Sequence, residues 1–180
     1  GADPNGDLSG SAYVVFGKTT SSAIELSTIE AEGGGGFVIN GADSVDTAGY
    51  SVSSAGDVNN DGFDDLIVGA WNADPNGYGS GSSYVVFGTD STSAIELSTI
   101  EAEGGGGFVI NGVDSSDNAG YSVSNAGDIN DDGLDDLIIG ARNAESNGYP
   151  SGSAYVIYGT TSTSAIELST IEAEGGGGFV

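Results

Sequence analysis

Two nine-residue stretches crowd oxygen donors at a spacing that suits a hard cation. They are Asp57-Val58-Asn59-Asn60-Asp61-Gly62-Phe63-Asp64-Asp65 and Asp128-Ile129-Asn130-Asp131-Asp132-Gly133-Leu134-Asp135-Asp136. Side-chain oxygens recur at the first, third and fifth positions: Asp57, Asn59 and Asp61 in one, Asp128, Asn130 and Asp132 in the other. Calcium takes roughly six to eight oxygen ligands from tight loops of this kind, and a glycine after the fifth position permits the sharp turn. Asp, Asn and Gly also gather in ordinary turns. A plain turn, however, has no need of four or five carboxylates within nine residues, which repel one another unless a cation offsets them. Magnesium demands stricter geometry and keeps more of its water, so calcium is the expected ion, with two sites. The loops are shorter than an EF-hand loop, and strand-like rather than helical sequence flanks them.

The two loops lie 71 residues apart inside a sequence repeat of that period. Gly36-Phe37-Val38-Ile39-Asn40 returns as Gly107-Phe108-Val109-Ile110-Asn111 and begins again at Gly178-Phe179-Val180. Residues 36–106 and 107–177 differ at 16 of 71 positions with no gap, and residues 1–35 match 72–106 in the same frame. A fixed period of this size signals a modular array in which each unit buries its apolar surface against its neighbours. The frame, open in mid-repeat at both ends, points to a piece of a longer tandem array or to a deliberately cut one.

Composition narrows the chemistry. Two Lys+Arg stand against 27 Asp+Glu, a formal charge of −25. Nucleic-acid binding needs the opposite sign to displace counterions, so that class is excluded. Two divalent ions would offset only a small part of this charge, so most of the acidity serves solvation and suits a saline, calcium-rich medium. There is no Cys, Met or His. Stapling must therefore come from packing or metal rather than disulfides, and the usual general base is missing. No apolar run approaches the roughly 20 residues of a membrane-spanning helix, so membrane insertion is not expected.

Around each loop the pattern predicts four short strands, near 49–53, 65–70, 83–88 and 107–111 for the first copy. Tyr84-Val85-Val86-Phe87 and Leu66-Ile67-Val68 are apolar at consecutive positions, hence covered on both faces. Asn72–Gly77, with Pro75 and Asn76-Gly77, reads as a polar turn. The stretch 93–100 is read as at most one helical turn, too short to pack as a helix. Short antiparallel sheets covered on both faces and repeated at a fixed period are blades of a β-propeller. The expected fold is all-β, about two and a half four-stranded blades. The expected units are a half blade with third and fourth strands at 1–35, a repeat with its cation loop at 36–106, and a second such repeat, running into the start of the next, at 107–180.

The run Ala48-Gly49-Tyr50-Ser51-Val52, followed by Gly56-Asp57-Val58-Asn59-Asn60-Asp61-Gly62-Phe63-Asp64-Asp65-Leu66-Ile67-Val68-Gly69-Ala70, resembles the FG-GAP repeat. That family builds the propeller of integrin α subunits and occurs in many bacterial surface and secreted proteins. Gly49-Tyr50 stands where the family has Phe-Gly, and Trp71 or Arg142 where it has the proline after Gly-Ala. The resemblance implies that the backbone carbonyl of Phe63 and the carboxylate of Asp65 complete the first cation site. Leu134 and Asp136 complete the second in the same way. It also implies a seven-bladed parent, of which this chain is roughly a third.

The expected function is a non-catalytic, calcium-stabilised extracellular repeat module, working in adhesion or building a surface layer or fibre by self-association. The alternative is a ligand-recognition propeller for a glycan or protein, attached to a larger secreted enzyme. Asp64 and Asp135, at the eighth loop position, are expected to point away from the cation into solvent or onto a turn. Asp43, Asp46, Asp114 and Asp117 are read as polar turn residues, with a weak second cation site as the alternative.

Overall fold

The computed structural model describes residues 3–31, 35–102, 106–145, 150–174 and 177–180. The strands are β1 (Ser11–Val15), β2 (Gly36–Asn40), β3 (Ser51–Gly56), β4 (Asp65–Ala70), β5 (Ser82–Val86), β6 (Ile95–Glu96), β7 (Gly107–Asn111), β8 (Ala119–Gly127), β9 (Asp136–Ala141), β10 (Ser153–Ile157), β11 (Ile166–Glu167) and β12 (Gly178–Phe179). Three short helices accompany them: α1 (Leu26–Glu30), α2 (Leu97–Glu101) and α3 (Leu168–Glu174).

Among the described residues these strands form three sheets, in the orders β1-β2-β6, β11-β7-β5-β4-β3 and β12-β10-β9-β8. The central sheet holds the four antiparallel strands expected of a full blade, with Leu66 opposite Val86 and Val86 opposite Gly107. Its apolar runs are split between two cores, as residues of alternating direction along a strand must be. Val68, Ala70, Tyr84 and Val86 pack towards Phe37 and Ile39 of the first sheet. Ile67, Val85, Phe108 and Ile110 pack towards Leu137, Ile139, Tyr155 and Ile157 of the last. Burial of each such aliphatic side chain contributes about 2 kcal/mol, so a charged residue at Ile67 would open the interface between the central and last sheets.

Sequence repeat and sheet are offset. The strand Gly36–Asn40 opens the 36–106 repeat but pairs with β1, and Gly107–Asn111 likewise closes the sheet begun by β3. Each sheet therefore takes its last strand from the following repeat, which links neighbouring units by backbone hydrogen bonds.

The 93–100 stretch differs from its expectation. Ile95–Glu96 forms a two-residue strand parallel to β2, and the chain then turns directly into α2, whose Leu97 and Ile100 are buried. A helix this short is marginal alone; it holds here because the preceding strand anchors it and the sheet covers its apolar side. Glu96 accepts hydrogen bonds from Asn40 (2.7 Å) and Asn5 (2.9 Å). Glu167 repeats the arrangement with Asn111 (2.8 Å) and Asn76 (2.9 Å). Each Ile-Glu pair thus clasps the sheet before it.

Candidate metal centre

Each acidic loop joins an edge strand of its sheet to the strand beside it: β3 to β4 for the first, β8 to β9 for the second. The fourth loop residues, Asn60 and Asp131, adopt left-handed φ values of 58° and 62°. Asn and Asp tolerate that region through local hydrogen bonds of their short side chains. Gly62 and Gly133 follow at φ 90° and 91°.

The side-chain oxygens fold back over the loop's own amides. In the first loop, Asp61 N–H donates to both Asp57 Oδ1 (3.0 Å) and Asn59 Oδ1 (2.8 Å). Gly62 N–H donates to Asp57 Oδ2 (3.0 Å) and Phe63 N–H to Asp61 Oδ1 (2.9 Å). Asn59 Nδ2 donates to Asp61 Oδ2 (2.9 Å). The second loop repeats this network through Asp128, Asn130 and Asp132, with Leu134 N–H on Asp132 Oδ1 at 2.9 Å.

Asp65 and Asp136 behave differently from the other loop carboxylates. Both are fully buried. Asp65 accepts from Val58 N–H (3.0 Å) and Gly88 N–H (2.8 Å), and Asp136 from Ile129 N–H and Gly159 N–H, each at 2.9 Å. These carboxylates anchor the start of the loop to the strand that leaves it and to the end of the next strand. Burial pushes the Asp65 carboxyl above its ordinary range, while the Gly88 and Val58 amides oppose the shift. Gly88 must stay glycine for this closure, since a Cβ there would lie 2.5 Å from the Cβ of Phe63.

Among the described residues no three acidic side chains are already gathered into a metal cage. The donor chemistry nevertheless fits a hard cation. Asp57 and Asn59 each hold an oxygen within 3.0 Å of the same nitrogen, so the first two donors converge. A carboxylate oxygen that accepts one amide has a further lone pair to offer. Asp57, Asn59, Asp61 and the Phe63 carbonyl would hold calcium in one loop, with Asp65 reached through its remaining lone pairs. Asp128, Asn130, Asp132, Leu134 and Asp136 are the equivalent set. The ion would supply charge neutralisation for the crowded carboxylates, and no reaction step.

Two features went unread in the sequence. Asp135 faces the other loop rather than solvent: its Oδ2 accepts Asp57 N–H at 3.0 Å, and its own N–H donates to Asp57 O at 3.3 Å. Gly56, at φ 74°, leaves room for it, because a Cβ there would meet Asp135 Oδ2 at 2.0 Å. Asp64, its repeat equivalent, is exposed. Nothing in the local pattern separates Asp64 from Asp135; only the presence of a neighbouring loop does.

The second feature is the company kept by the aspartates read as turn residues, Asp43, Asp46, Asp114 and Asp117. Asp43, Asp46, Asp74 and Glu101 line one cleft, and Asp114, Asp117, Glu145 and Glu172 line its counterpart. Buried Asp46 accepts Asp43 N–H at 3.3 Å, as a turn residue should, and burial pushes its carboxyl up to about 6.

Comparison with known proteins agrees with this geometry. The FG-GAP repeat family model matches residues 48–86 and 119–157, each stretch running from the approach to the edge strand, through the acidic loop, to the third strand in from that edge. The chain is thus an FG-GAP repeat protein, and its sheets are β-propeller blades, a partial propeller with no closed ring among the described residues. FG-GAP repeats are typical of extracellular proteins, and no described helix is long and apolar enough to cross a membrane. No curated protein matches the chain.

Proposed function

We propose that this FG-GAP repeat chain is a non-catalytic, calcium-stabilised module of a secreted or surface protein, serving adhesion or building an extracellular layer or fibre by self-association. The observation that carries the reading is the repetition of one donor set, Asp-x-Asn-x-Asp with its buried closing Asp, at the same place in two packed blades. Near-identical units make every blade face a candidate partner for another, which favours association of like with like. Loops of this donor count belong to the roughly 10⁻⁴–10⁻³ M class of calcium sites, matched to extracellular calcium. The test is thermal melting and light scattering in millimolar calcium and in chelator. A higher melting temperature in calcium and a calcium-dependent increase in mass support the reading. Identical melting in both conditions removes calcium from it, and a strictly monomeric chain removes self-association.

A second reading, recognition of a glycan or protein ligand, is favoured by one surface. Tyr50, Trp71 and Tyr121 form a three-ring cluster with centroids 5.0–6.1 Å apart. The Arg142 guanidinium lies 4.4 Å from the Tyr121 ring centre, and Tyr50 is exposed. Exposed aromatic rings beside a cation are the common currency of recognition surfaces. A glycan array read with wild-type and Tyr50→Ala protein separates this reading from the structural one.

A further inference from the structure

We infer that Asn76 is a site of spontaneous deamidation, and that the reaction opens the Glu167 clasp irreversibly. Neither the acidic loops nor the blade faces take part, so the site is independent of the calcium and self-association readings.

Glu167 is held by two asparagines, and each of them precedes a glycine. Asn111 Nδ2 donates to Glu167 Oε1 at 2.8 Å. Asn76 Nδ2 donates to both Glu167 Oε2 and Gly112 O, each at 2.9 Å. The residue after Asn76 has to be glycine. Gly77 has φ 120°, and a Cβ there would lie 2.2 Å from Ser115 Oγ. The turn therefore writes Asn-Gly into the clasp, and with no side chain on the glycine its backbone nitrogen is unhindered.

That nitrogen is the nucleophile of deamidation. The Gly77 nitrogen bonds to Asn76 Cγ, the Cγ–Nδ2 bond breaks, and Nδ2 leaves as ammonia, taking the proton the Gly77 amide gives up. Water then opens the cyclic imide at either carbonyl and leaves aspartate or isoaspartate at position 76. One water is consumed and one ammonia released.

Two differences place the reaction at Asn76 rather than at Asn111. Asn76 is exposed in the turn after β4, whereas Asn111 is half-buried at the end of β7. The Gly112 N–H is tied to Gly81 O at 2.8 Å, while the Gly77 N–H reaches Asp74 O only at 3.4 Å. The attacking nitrogen is thus pinned in one case and nearly free in the other. The two bonds made by Asn76 Nδ2 tether the leaving nitrogen, so the clasp restrains the reaction that destroys it.

The product cannot restore the clasp. An oxygen replaces the Nδ2 donor and faces Glu167 Oε2 and Gly112 O, which are themselves acceptors. The new carboxylate also repels Glu167. The chain has two cations, and both are engaged elsewhere, Lys18 on Ser22 and Arg142 on Tyr121. β11, two residues long, then keeps only its short ladder with β7 and the Asn111 bond.

The test ages the whole chain in mildly alkaline buffer with millimolar calcium and maps each asparagine by mass spectrometry, with an isoaspartate assay. Asn76 is expected to convert at least about tenfold faster than Asn111, because its turn opens without unfolding the sheet. Glu167→Ala, which removes the tether, is expected to speed conversion at Asn76 further and to leave Asn5, clasped by Glu96, unchanged. In Asn76→Asp, amide exchange at Ile166 and Glu167 is expected to quicken at least about tenfold. Conversion at Asn76 no faster than at Asn111 overturns the inference, as does an unchanged Asn76 rate in Glu167→Ala. An equal rise at Asn5 in that variant, which marks general loosening, also overturns it. So does unaltered exchange at Ile166 and Glu167 in Asn76→Asp.

Discussion

Val58 in the first acidic loop and Ile129 in the second occupy one repeat position, yet Val58 is 0 % exposed and Ile129 49 %. The loops have the same donors, the same left-handed fourth residue and the same internal hydrogen bonds. What separates them is the blade that follows. The last blade lies over the first loop, burying Val58 and hydrogen-bonding Asp57 N–H through Asp135; among the described residues nothing covers the second loop in this way. In a repeat protein the energetic weight of a residue is thus set by nearest neighbours as much as by its own unit.

The largest effect expected is at the buried closing carboxylates. Asp65→Ala leaves the Val58 and Gly88 amides without their acceptor and should cost about 3 kcal/mol, read from urea unfolding. Asp136→Ala removes the same two bonds in the outer loop; a cost within about 1 kcal/mol of the Asp65 value would show that these anchors act inside their own blade, independent of coverage.

Next comes pH. Asp46 has its folded carboxyl raised to about 6 from an ordinary 3.8, so the folded state binds its proton more readily than the unfolded chain. This contribution is fully present below 3.8 and is lost as pH rises through about 6. Asp46→Asn should therefore remove about 2 kcal/mol of pH-dependent stability change across that window. Unfolding of both proteins at matched pH values, in chelator to silence the loops, checks it. An unchanged slope contradicts the burial argument.

Coverage itself is tested by paired truncations. Val58→Ala should cost about 1–2 kcal/mol and Ile129→Ala within about 0.5 kcal/mol of nothing. Equal costs would break the comparison. The smallest pair is at the eighth loop position, where Asp135→Ala should cost about 1 kcal/mol through the lost bond to Asp57 and Asp64→Ala almost none. Calcium titration of Asp135→Ala sharpens the point, with affinity expected to fall at the first loop rather than at the loop that was mutated.

The sequence was most informative where the signal is local. Consecutive apolar residues in Leu66–Val68 and Tyr84–Phe87 announce strands covered on both faces, and those strands lie between two cores. The donor spacing of the loops and the 71-residue period are local or self-similar patterns as well. What stayed hidden depends on partners far along the chain. The Glu96 clasp joins residues 56 and 91 positions apart, and the Asp135–Asp57 bond spans 78. A two-residue parallel strand at Ile95–Glu96 has too few residues for any period to reveal it. The dual position of Asp65, a loop donor by spacing and a buried anchor by packing, follows from Gly88, 23 residues on.

The most direct test is calorimetric titration of the purified, chelator-stripped chain with calcium, followed by melting of the same sample. Two ions bound per chain, the first-loop site the tighter, with several millimolar calcium adding about 1–2 kcal/mol per site, is the predicted result. No heat of binding and no change in melting temperature up to several millimolar calcium would contradict the account.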